Sequence, residues 1–396
     1  MGRRVFIRAV FSSPPDTRRP PAYGTDMTPF AGRASYTGYM KVTVYAIAKN
    51  EERFARRWAQ SMAEADEIVV LDTGSDDNTA AVLAECGVKV TVRQIVPWRF
   101  DVARNESLKL VPADTDICVC TDLDEVFSPG WRAAAEKAWT GDVTRLKYRY
   151  VWSHTPDGGD GVVFHIEKMH AYGCYKWVHP VHEVLSYTGS GRESVRLAAG
   201  VRLDHYPDDA KSRAGYLPLL ELAVRERPDD DRNVHYLGRE YMFRGRWDDA
   251  IAMLKRHLAM PTAVWADERC ASERFIARCY AAKNDLSAAE SWYLRAVAEA
   301  PHLREPNVDM AALCYDKEDW TGVLWFVERA LKITDRSLSY INEPLAWSSY
   351  PADIAAIACF RLGLYARSYA YAEAALALSP DDARLRGNLE LIKTLL

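Results

Sequence analysis

The stretch Ile117-Cys118-Val119-Cys120-Thr121-Asp122-Leu123-Asp124-Glu125 decides the reading of this chain. Small apolar residues make a short buried strand that delivers three carboxylates to its own carboxyl end. Asp122 and Asp124 stand two apart, so in extended backbone their side chains share one face. Two carboxylates on one face repel unless a cation joins them. Hard oxygen ligands suit Mg²⁺ or Mn²⁺, which also bind diphosphates. The bland alternative is an acidic loop that caps the helix after Ser128-Pro129.

Segments before this strand alternate in type. Val42–Ala48, Glu67–Leu71 and Val88–Ile95 read as strands, and Glu51–Glu64, Asp76–Cys86 and Asp101–Val111 as helices. A β-α-β-α-β-α-β order implies a mainly parallel, doubly wound sheet, with ligands outside the carboxyl ends of its strands. Aromatic strands follow at Arg145–Trp152 and Val162–Met169.

From residue 211 the chain changes character. Leu237-Gly238, Tyr241 and Ala250 fit a helix-turn-helix repeat of the tetratricopeptide (TPR) type. Ala277, Tyr280, Ala289, Tyr293, Ala296 and Pro301 make a second unit, Ala312, Tyr315 and Ala330 a third, and Leu376 and Pro380 a fourth. Recurrence near 34 residues predicts helix pairs that share a core by stacking. An irregular helical bundle is the alternative. The domains expected are a disordered N-terminal extension over 1–39, an α/β domain over 40–210 and a helical repeat domain over 211–396. Residues 1–39 are rich in Arg and Pro without periodicity. The ordered chain is expected to start at Met40, and translation with it.

Composition narrows the classes of function. The chain has 396 residues, 48% hydrophobic and 27% charged, with a formal net charge of −4. That balance argues against nucleic acid as a partner. No apolar run reaches the roughly 18–20 residues that span a bilayer, so no membrane partner is expected. Eight cysteines are scattered with no CxxC pair, which fits a reducing, cytoplasmic location.

Three more segments join the acidic stretch: Val44-Tyr45-Ala46-Ile47-Ala48-Lys49-Asn50-Glu51-Glu52, Asp66 to Thr79 with Asp72-Thr73-Gly74-Ser75, and Pro97-Trp98-Arg99-Phe100-Asp101-Val102-Ala103-Arg104-Asn105. In order and spacing the four resemble family 2 glycosyltransferases of the GT-A fold. The branch they resemble carries C-terminal TPR repeats and includes peptide and protein glycosyltransferases. The resemblance runs from about residue 41 to the C-terminus. It implies a GT-A-like doubly wound mixed sheet followed by an all-α TPR-like domain. It also implies roles. Ala46, Lys49, Asn50 and Glu51 would line the nucleotide base and ribose, and Asp72 would hold the base or ribose. Arg104 would sit near the nucleotide-sugar. Asp122, Leu123 and Asp124 would form the DxD motif that binds a divalent metal (Mn²⁺ or Mg²⁺) and the diphosphate.

Physical chemistry allows these roles, since a carboxylate accepts from ribose hydroxyls and a guanidinium binds phosphate. Asp72 as a helix cap and Arg104 as a solvated residue are the alternatives. An inverting displacement needs a base opposite the leaving group. Lys176-Trp177-Val178-His179-Pro180-Val181-His182-Glu183 supplies candidates: Glu183 first, His182 second, His179 less so. The acidic pair usual in the family is absent here. His205 falls where relatives often carry a histidine and would close the metal shell, with a purely structural histidine as the alternative. Trp152, Tyr175 and Trp177 are candidates to stack on a sugar. Asp157-Gly158-Gly159-Asp160-Gly161 reads as a hairpin turn or a mobile loop.

The expectation is a hexosyl transfer from a UDP-sugar to a protein or peptide acceptor, with a homodimer formed through the repeats as one use of the helices. An interaction adaptor on a degenerate transferase fold is the rival from another class, though both aspartates of the DxD motif are retained. A nucleotidyltransferase would show a Gly-rich loop after the first strand, which Ala48-Lys49-Asn50-Glu51 is not. GxxxxGK(S/T) and GxGxxG motifs are absent, against a P-loop ATPase and a dinucleotide enzyme.

Overall fold

The computed structural model describes residues 39–155, 158–208 and 215–396. The expected extension, save Tyr39, lies outside the described residues, as does Asp157. The chain forms two compact units that divide between Leu219 and Leu220. The sequence places the division at 210, inside 209–214, which also lie outside the described residues.

The first unit holds β1 (Val42–Ala48), α1 (Glu52–Ser61), β2 (Glu67–Asp72), α2 (Thr79–Glu85), β3 (Lys89–Val92), α3 (Phe100–Leu108), β4 (Ile117–Cys120), β5 (Glu125–Phe127), α4 (Trp131–Ala138), β6 (Arg145–Val151), β7 (Val163–Ala171), β8 (Tyr175–Val178), β9 (Val184–Tyr187) and β10 (Val195–His205). The sheet order is β3-β2-β1-β4-β7-β6-β10-β5, and β8 and β9 form a separate hairpin. Pairs β3-β2, β2-β1, β1-β4 and β6-β10 are parallel; β4-β7, β7-β6 and β10-β5 are antiparallel. This is the GT-A-like mixed sheet.

Its centre follows from sequence. β1 reads VTVYAIA and is buried along nearly its whole length, as expected of a parallel strand covered on both faces. Trp58 of α1 is fully buried, and its Nε1–H donates to Thr121 Oγ1 at 3.0 Å. That bond pins the residue just before Asp122. Helix α3 is held by Asn105. Its side chain donates to the Trp177 carbonyl and accepts from the Trp177 N–H, each at 2.9 Å. The edge of β8 is thus tied to α3, and Phe100 N–H donates to Pro180 O at 3.0 Å.

Helix α5 (Tyr216–Glu226) spans the division between the units. The second unit continues with α6 (Asp231–Phe243), α7 (Trp247–Ala259), α8 (Ala266–Ala282), α9 (Leu286–Glu299), α10 (Glu305–Asp316), α11 (Trp320–Lys332), α12 (Tyr350–Arg361), α13 (Tyr365–Leu378) and α14 (Ala383–Lys393). They pack as successive antiparallel neighbours, α6 on α7, α8 on α9, α10 on α11 and α12 on α13. Ala250, Ala277, Ala289, Ala296 and Ala330 are fully buried where paired helices meet. Gly238 allows a close approach of α6 and α7: a Cβ there would lie 2.7 Å from Leu254 Cγ. No helix among the described residues is long and apolar enough to cross a membrane.

Candidate active site

A cavity of about 480 Å³ opens at the carboxyl ends of β1 and β4. Backbone pairing explains why the acidic residues meet there. Strand β4 ends at Cys120, and Asp122 and Glu125 close a turn in which Glu125 N–H donates to Asp122 O at 3.0 Å. Glu125 then enters β5, which runs antiparallel to the end of β10 with His205 opposite Glu125. Tyr206 N–H donates to Asp124 O at 2.8 Å. His205 therefore reaches the DxD turn through strand pairing, although it lies 81 residues from Asp124 (205 − 124).

The Asp122 carboxylate has two cationic partners. Arg104 Nη2 donates to Oδ1 at 2.6 Å and Lys168 Nζ to Oδ2 at 3.0 Å. Arg104 Nε also donates to Glu183 Oε1 at 3.0 Å, and its Nη1 lies 3.5 Å from Cys120 Sγ. Lys168 also donates to Glu125 Oε1 at 3.0 Å. Burial works against charge on Asp122, Glu125, Arg104 and Lys168. For Asp122 the two cations win and hold its carboxyl well below the usual range. For Glu125 burial wins, helped by Asp122 and Asp124, and its pKa is raised despite Lys168. Burial opposes the charge on Arg104 and Lys168 too, but the surrounding carboxylates raise both pKa values.

Asp124 has a different partner. Its Oδ2 lies 3.3 Å from His205 Nε2. His205 Nδ1 lies 2.9 Å from Trp152 O and donates to that carbonyl, and the imidazole stacks on the Trp152 ring with centroids 4.3 Å apart. Burial opposes charge on His205, but Asp124 and the Trp152 carbonyl outweigh it and raise its pKa. The DxD pair is thus split between two roles: Asp122 is neutralised by fixed cations, while Asp124 and His205 form a carboxylate–imidazole pair.

Of the residues singled out from sequence, Lys49, Glu51, Arg104, Asp122, Leu123, Asp124, His182, Glu183 and His205 line the cavity. Ala46 does not. It sits two residues inside β1, fully buried, and Ile47 and Ala48 form the wall at that point. Asn50 and Asp72 lie beside the cavity. Asn50 adopts a positive φ of 55° and ties two loops: its N–H donates to Ser75 Oγ at 2.9 Å and its Oδ1 accepts from Asp76 N–H at 2.7 Å. Asp72 Oδ1 accepts from the N–H groups of Gly74 and Ser75, at 2.8 and 2.7 Å. Its Oδ2 is buried and makes no hydrogen bond. Helix α2 begins beyond it, after Asn78, and its first N–H, that of Thr79, donates to Asp77 Oδ1 at 3.0 Å.

Trp152 and Trp177 line the cavity, while Tyr175 packs into the core and donates to Glu193 at 3.0 Å. The Trp177 Nε1–H donates to Tyr45 OH at 2.9 Å, and Tyr45 OH lies 2.8 Å from His170 Nε2. Burial pushes the pKa of His170 down to about 3, so its neutral ring accepts from Tyr45. His179 and His182 both adopt left-handed backbone, with φ of 79° and 53°. Asp160 pairs with Arg149 and Arg202 beside the bridge from His154.

Three contributors went unread in the sequence: Lys168, Tyr150, whose OH donates to Glu125 Oε1 at 2.8 Å, and Asn105. A lysine between Ile166 and Met169 in the strand VFHIEKMHA was the available signal, since a buried strand lysine is rarely found without a carboxylate.

The mixed sheet, with carboxylates at the carboxyl ends of its central strands, is GT-A-like. Residues 43–140 match the family described as glycosyl transferase family 2, and residues 235–264 match a tetratricopeptide repeat. These matches support a glycosyltransferase with a TPR region. Such a domain implies a nucleotide-sugar and an acceptor, and such repeats suggest protein interaction.

Among solved structures, the crystal structure of MamA covers 43% of this chain and 90% of that chain, at 16% identity and a TM-score of 0.35. PilW, described as a widely conserved type IV pilus biogenesis factor, covers 43% of this chain and 73% of that chain, at 16% identity and a TM-score of 0.37. YrrB, described as a TPR protein with an unusual peptide-binding site, covers 44% of this chain and 82% of that chain, at 11% identity and a TM-score of 0.36.

Proposed function

We propose that this protein moves a hexosyl group from a nucleotide-sugar, with a UDP-sugar as the donor class, to a protein or peptide side chain. The observation that carries this reading is the position of Arg104. One buried guanidinium holds Asp122 on the DxD turn and Glu183 on the loop after β8. A donor-side carboxylate and a candidate base are thereby fixed to one rigid group, as displacement chemistry requires.

A divalent metal, Mn²⁺ or Mg²⁺, fits this donor set. His205 Nδ1–H is committed to the Trp152 carbonyl, so Nε2 faces the Asp124 carboxylate and would be the atom that a cation takes in place of a proton. The 3.3 Å between Nε2 and Oδ2 suits a shared cation, and a divalent ion would displace the proton held there. The lining carboxylates Glu51, Asp122, Asp124, Glu125, Glu183 and Asp208 also outnumber Lys49, Arg104 and Lys168, which disfavours a diphosphate unless further positive charge enters. When bound at Asp124 and His205, the metal supplies charge neutralisation to the leaving diphosphate.

The chain's own groups account for the rest. Glu183, or His182 beside it, takes the proton from the acceptor hydroxyl or thiol. The acceptor atom forms a bond to the anomeric carbon as the bond to the diphosphate oxygen breaks. The nucleoside diphosphate leaves with that electron pair, the configuration inverts, and the transition state has oxocarbenium character. Trp152 and Trp177 wall the sugar, and Asp72, Asn50, Glu51 and Lys49 form the base and ribose end. The helical unit presents the acceptor, and its pairing into a homodimer and a cytoplasmic location complete the proposal.

The test uses the full chain with UDP-hexoses, Mn²⁺ and a peptide library, read by mass spectrometry. A peptide that gains one hexosyl unit, and does not with Glu183→Gln, supports the reading. Nucleotide transfer to the peptide instead of sugar would assign the site to a nucleotidyltransferase.

A further inference from the structure

A second group of metal-type donors lies in the helical unit. Asp231 in the first turn of α6, His257 in the last turn of α7 and Glu268 in the first turn of α8 each offer one ligand atom, and these atoms all lie within 4.8 Å of one another. His257 and Glu268 are buried, at 0% and 1% exposure, and Asp231 is half-buried. His257 Nε2 lies 3.3 Å from Glu268 Oε1. Despite that distance, Nε2 makes no hydrogen bond. A fully buried imidazole nitrogen is aimed at a carboxylate without an aligned N–H···O contact. Two ligands on a tetrahedral Zn²⁺ with bonds of about 2.0–2.1 Å stand roughly 3.3 Å apart, the separation seen here.

Outer partners hold both buried donors. His257 Nδ1 lies 2.9 Å from Ser272 Oγ, which fixes the ring with Nε2 toward Glu268. The same hydroxyl lies 2.8 Å from His235 Nδ1. Tyr340 OH donates to Glu268 Oε2 at 2.5 Å, leaving Oε1 on the His257 side. Histidines and carboxylates that bind metal are oriented by outer hydrogen bonds of this kind.

We propose that Asp231, His257 and Glu268 bind a divalent transition metal, with Zn²⁺ as the first candidate, and that the ion staples α6, α7 and α8 together. One imidazole and two carboxylates suit a borderline cation better than the all-oxygen sets of Ca²⁺ and Mg²⁺.

The test uses full-length protein carrying Asp124→Ala and His205→Ala, which removes the donor set of the α/β unit. After dialysis against Zn²⁺ and desalting, this background should retain about one Zn²⁺ per chain by elemental analysis, and added Zn²⁺ should raise its melting temperature. His257→Asn keeps an amide able to meet Ser272, and Glu268→Gln keeps the Tyr340 bond. Each should cut retained Zn²⁺ roughly tenfold or more at unchanged helical circular dichroism. Co²⁺ in the background chain should show the visible bands of a four-coordinate site, a readout independent of whether either variant folds. Retention equal in background and variants, or Co²⁺ without such bands, overturns the proposal. Because no transfer activity is read, the result stands apart from the fate of the transferase reading.

Discussion

The Arg104 guanidinium lies 2.6 Å from the Asp122 carboxylate, with only 5% of the arginine side chain exposed. Asp122 keeps 35% of its side chain exposed, so it faces the cavity while its charge is set from behind. The same arginine binds Glu183 at 3.0 Å. Removing it leaves Glu183 without its cation and Asp122 with Lys168 alone. Arg104→Met should destabilise the α/β unit by about 3–5 kcal/mol. Arg104→Lys keeps a charge but loses the fork that reaches both partners. It should fold better than Arg104→Met and still lose about 100-fold in kcat/KM. Urea unfolding and steady-state kinetics on both variants check this.

Asn105 clamps both peptide groups of Trp177, each at 2.9 Å. Asn105→Leu leaves a peptide N–H and a carbonyl short of partners, at a cost of about 1–3 kcal/mol. The hairpin that carries Glu183 should loosen. The expected kinetic signature is a fall in kcat that exceeds any rise in donor KM, because the Asn105 side chain bonds to the backbone of Trp177 and to no side chain proposed at the donor. A rise in donor KM at constant kcat would contradict this positioning role.

The helical unit has its own pH dependence. Burial raises the Glu273 carboxyl to about 7, with Glu299 adding and Arg269 and Arg295 opposing. Its Oε2 makes no hydrogen bond. The folded state holds this proton more tightly than the unfolded chain does. The stabilisation is therefore full below about pH 4.5 and is lost as pH rises through about 7. Glu273→Gln stays neutral throughout. Relative to that variant, the wild type should lose on the order of 2 kcal/mol between these pH values. Melting curves of both proteins across pH 4–8 test it, since other titrating groups cancel in the difference.

Gly238 sits in α6, where alanine would ordinarily stabilise a helix by about 1 kcal/mol. Here a Cβ would meet Leu254 Cγ at 2.7 Å and Cδ2 at 2.8 Å. Overpacking of this kind costs about 1–3 kcal/mol, so Gly238→Ala should be net destabilising. Gly238→Ala with Leu254→Ala should be less unstable than the sum of the single changes. Thermal melts of the four proteins complete the cycle.

Local pattern made much of the fold legible. The Val42–Ala48 strand is observed with those bounds, because a continuous apolar β-branched run admits few alternatives. The alanines of the repeats mark helix contacts because only small residues fit there. Strand β10 was not read. Ala198, Ala199 and Gly200 interrupt its alternation, and its register shifts between Leu197 and Arg202. The site was legible where its residues follow one strand, as Asp122 and Asp124 do. It was not legible where pairing imports a residue from afar. His205 came only through family resemblance, and Lys168 was hidden in a segment read only as an aromatic strand. Ala46 was placed with the carboxyl end of its strand, but it lies two residues inside that end and is fully buried. The cluster of Asp231, His257 and Glu268 gives no linear signal, since three helices supply one donor each.

The central claim is a donor site built on Asp124 and His205. Its most direct test is the melting temperature of the full chain with each of a panel of nucleotide-sugars, with and without Mn²⁺. A ligand at a hundredfold excess over its Kd stabilises the folded state by about 2.7 kcal/mol. The account predicts a rise with a UDP-hexose that requires Mn²⁺ and disappears in Asp124→Ala. A folded protein whose melting temperature no nucleotide-sugar moves, or a rise that survives Asp124→Ala unchanged, would contradict it.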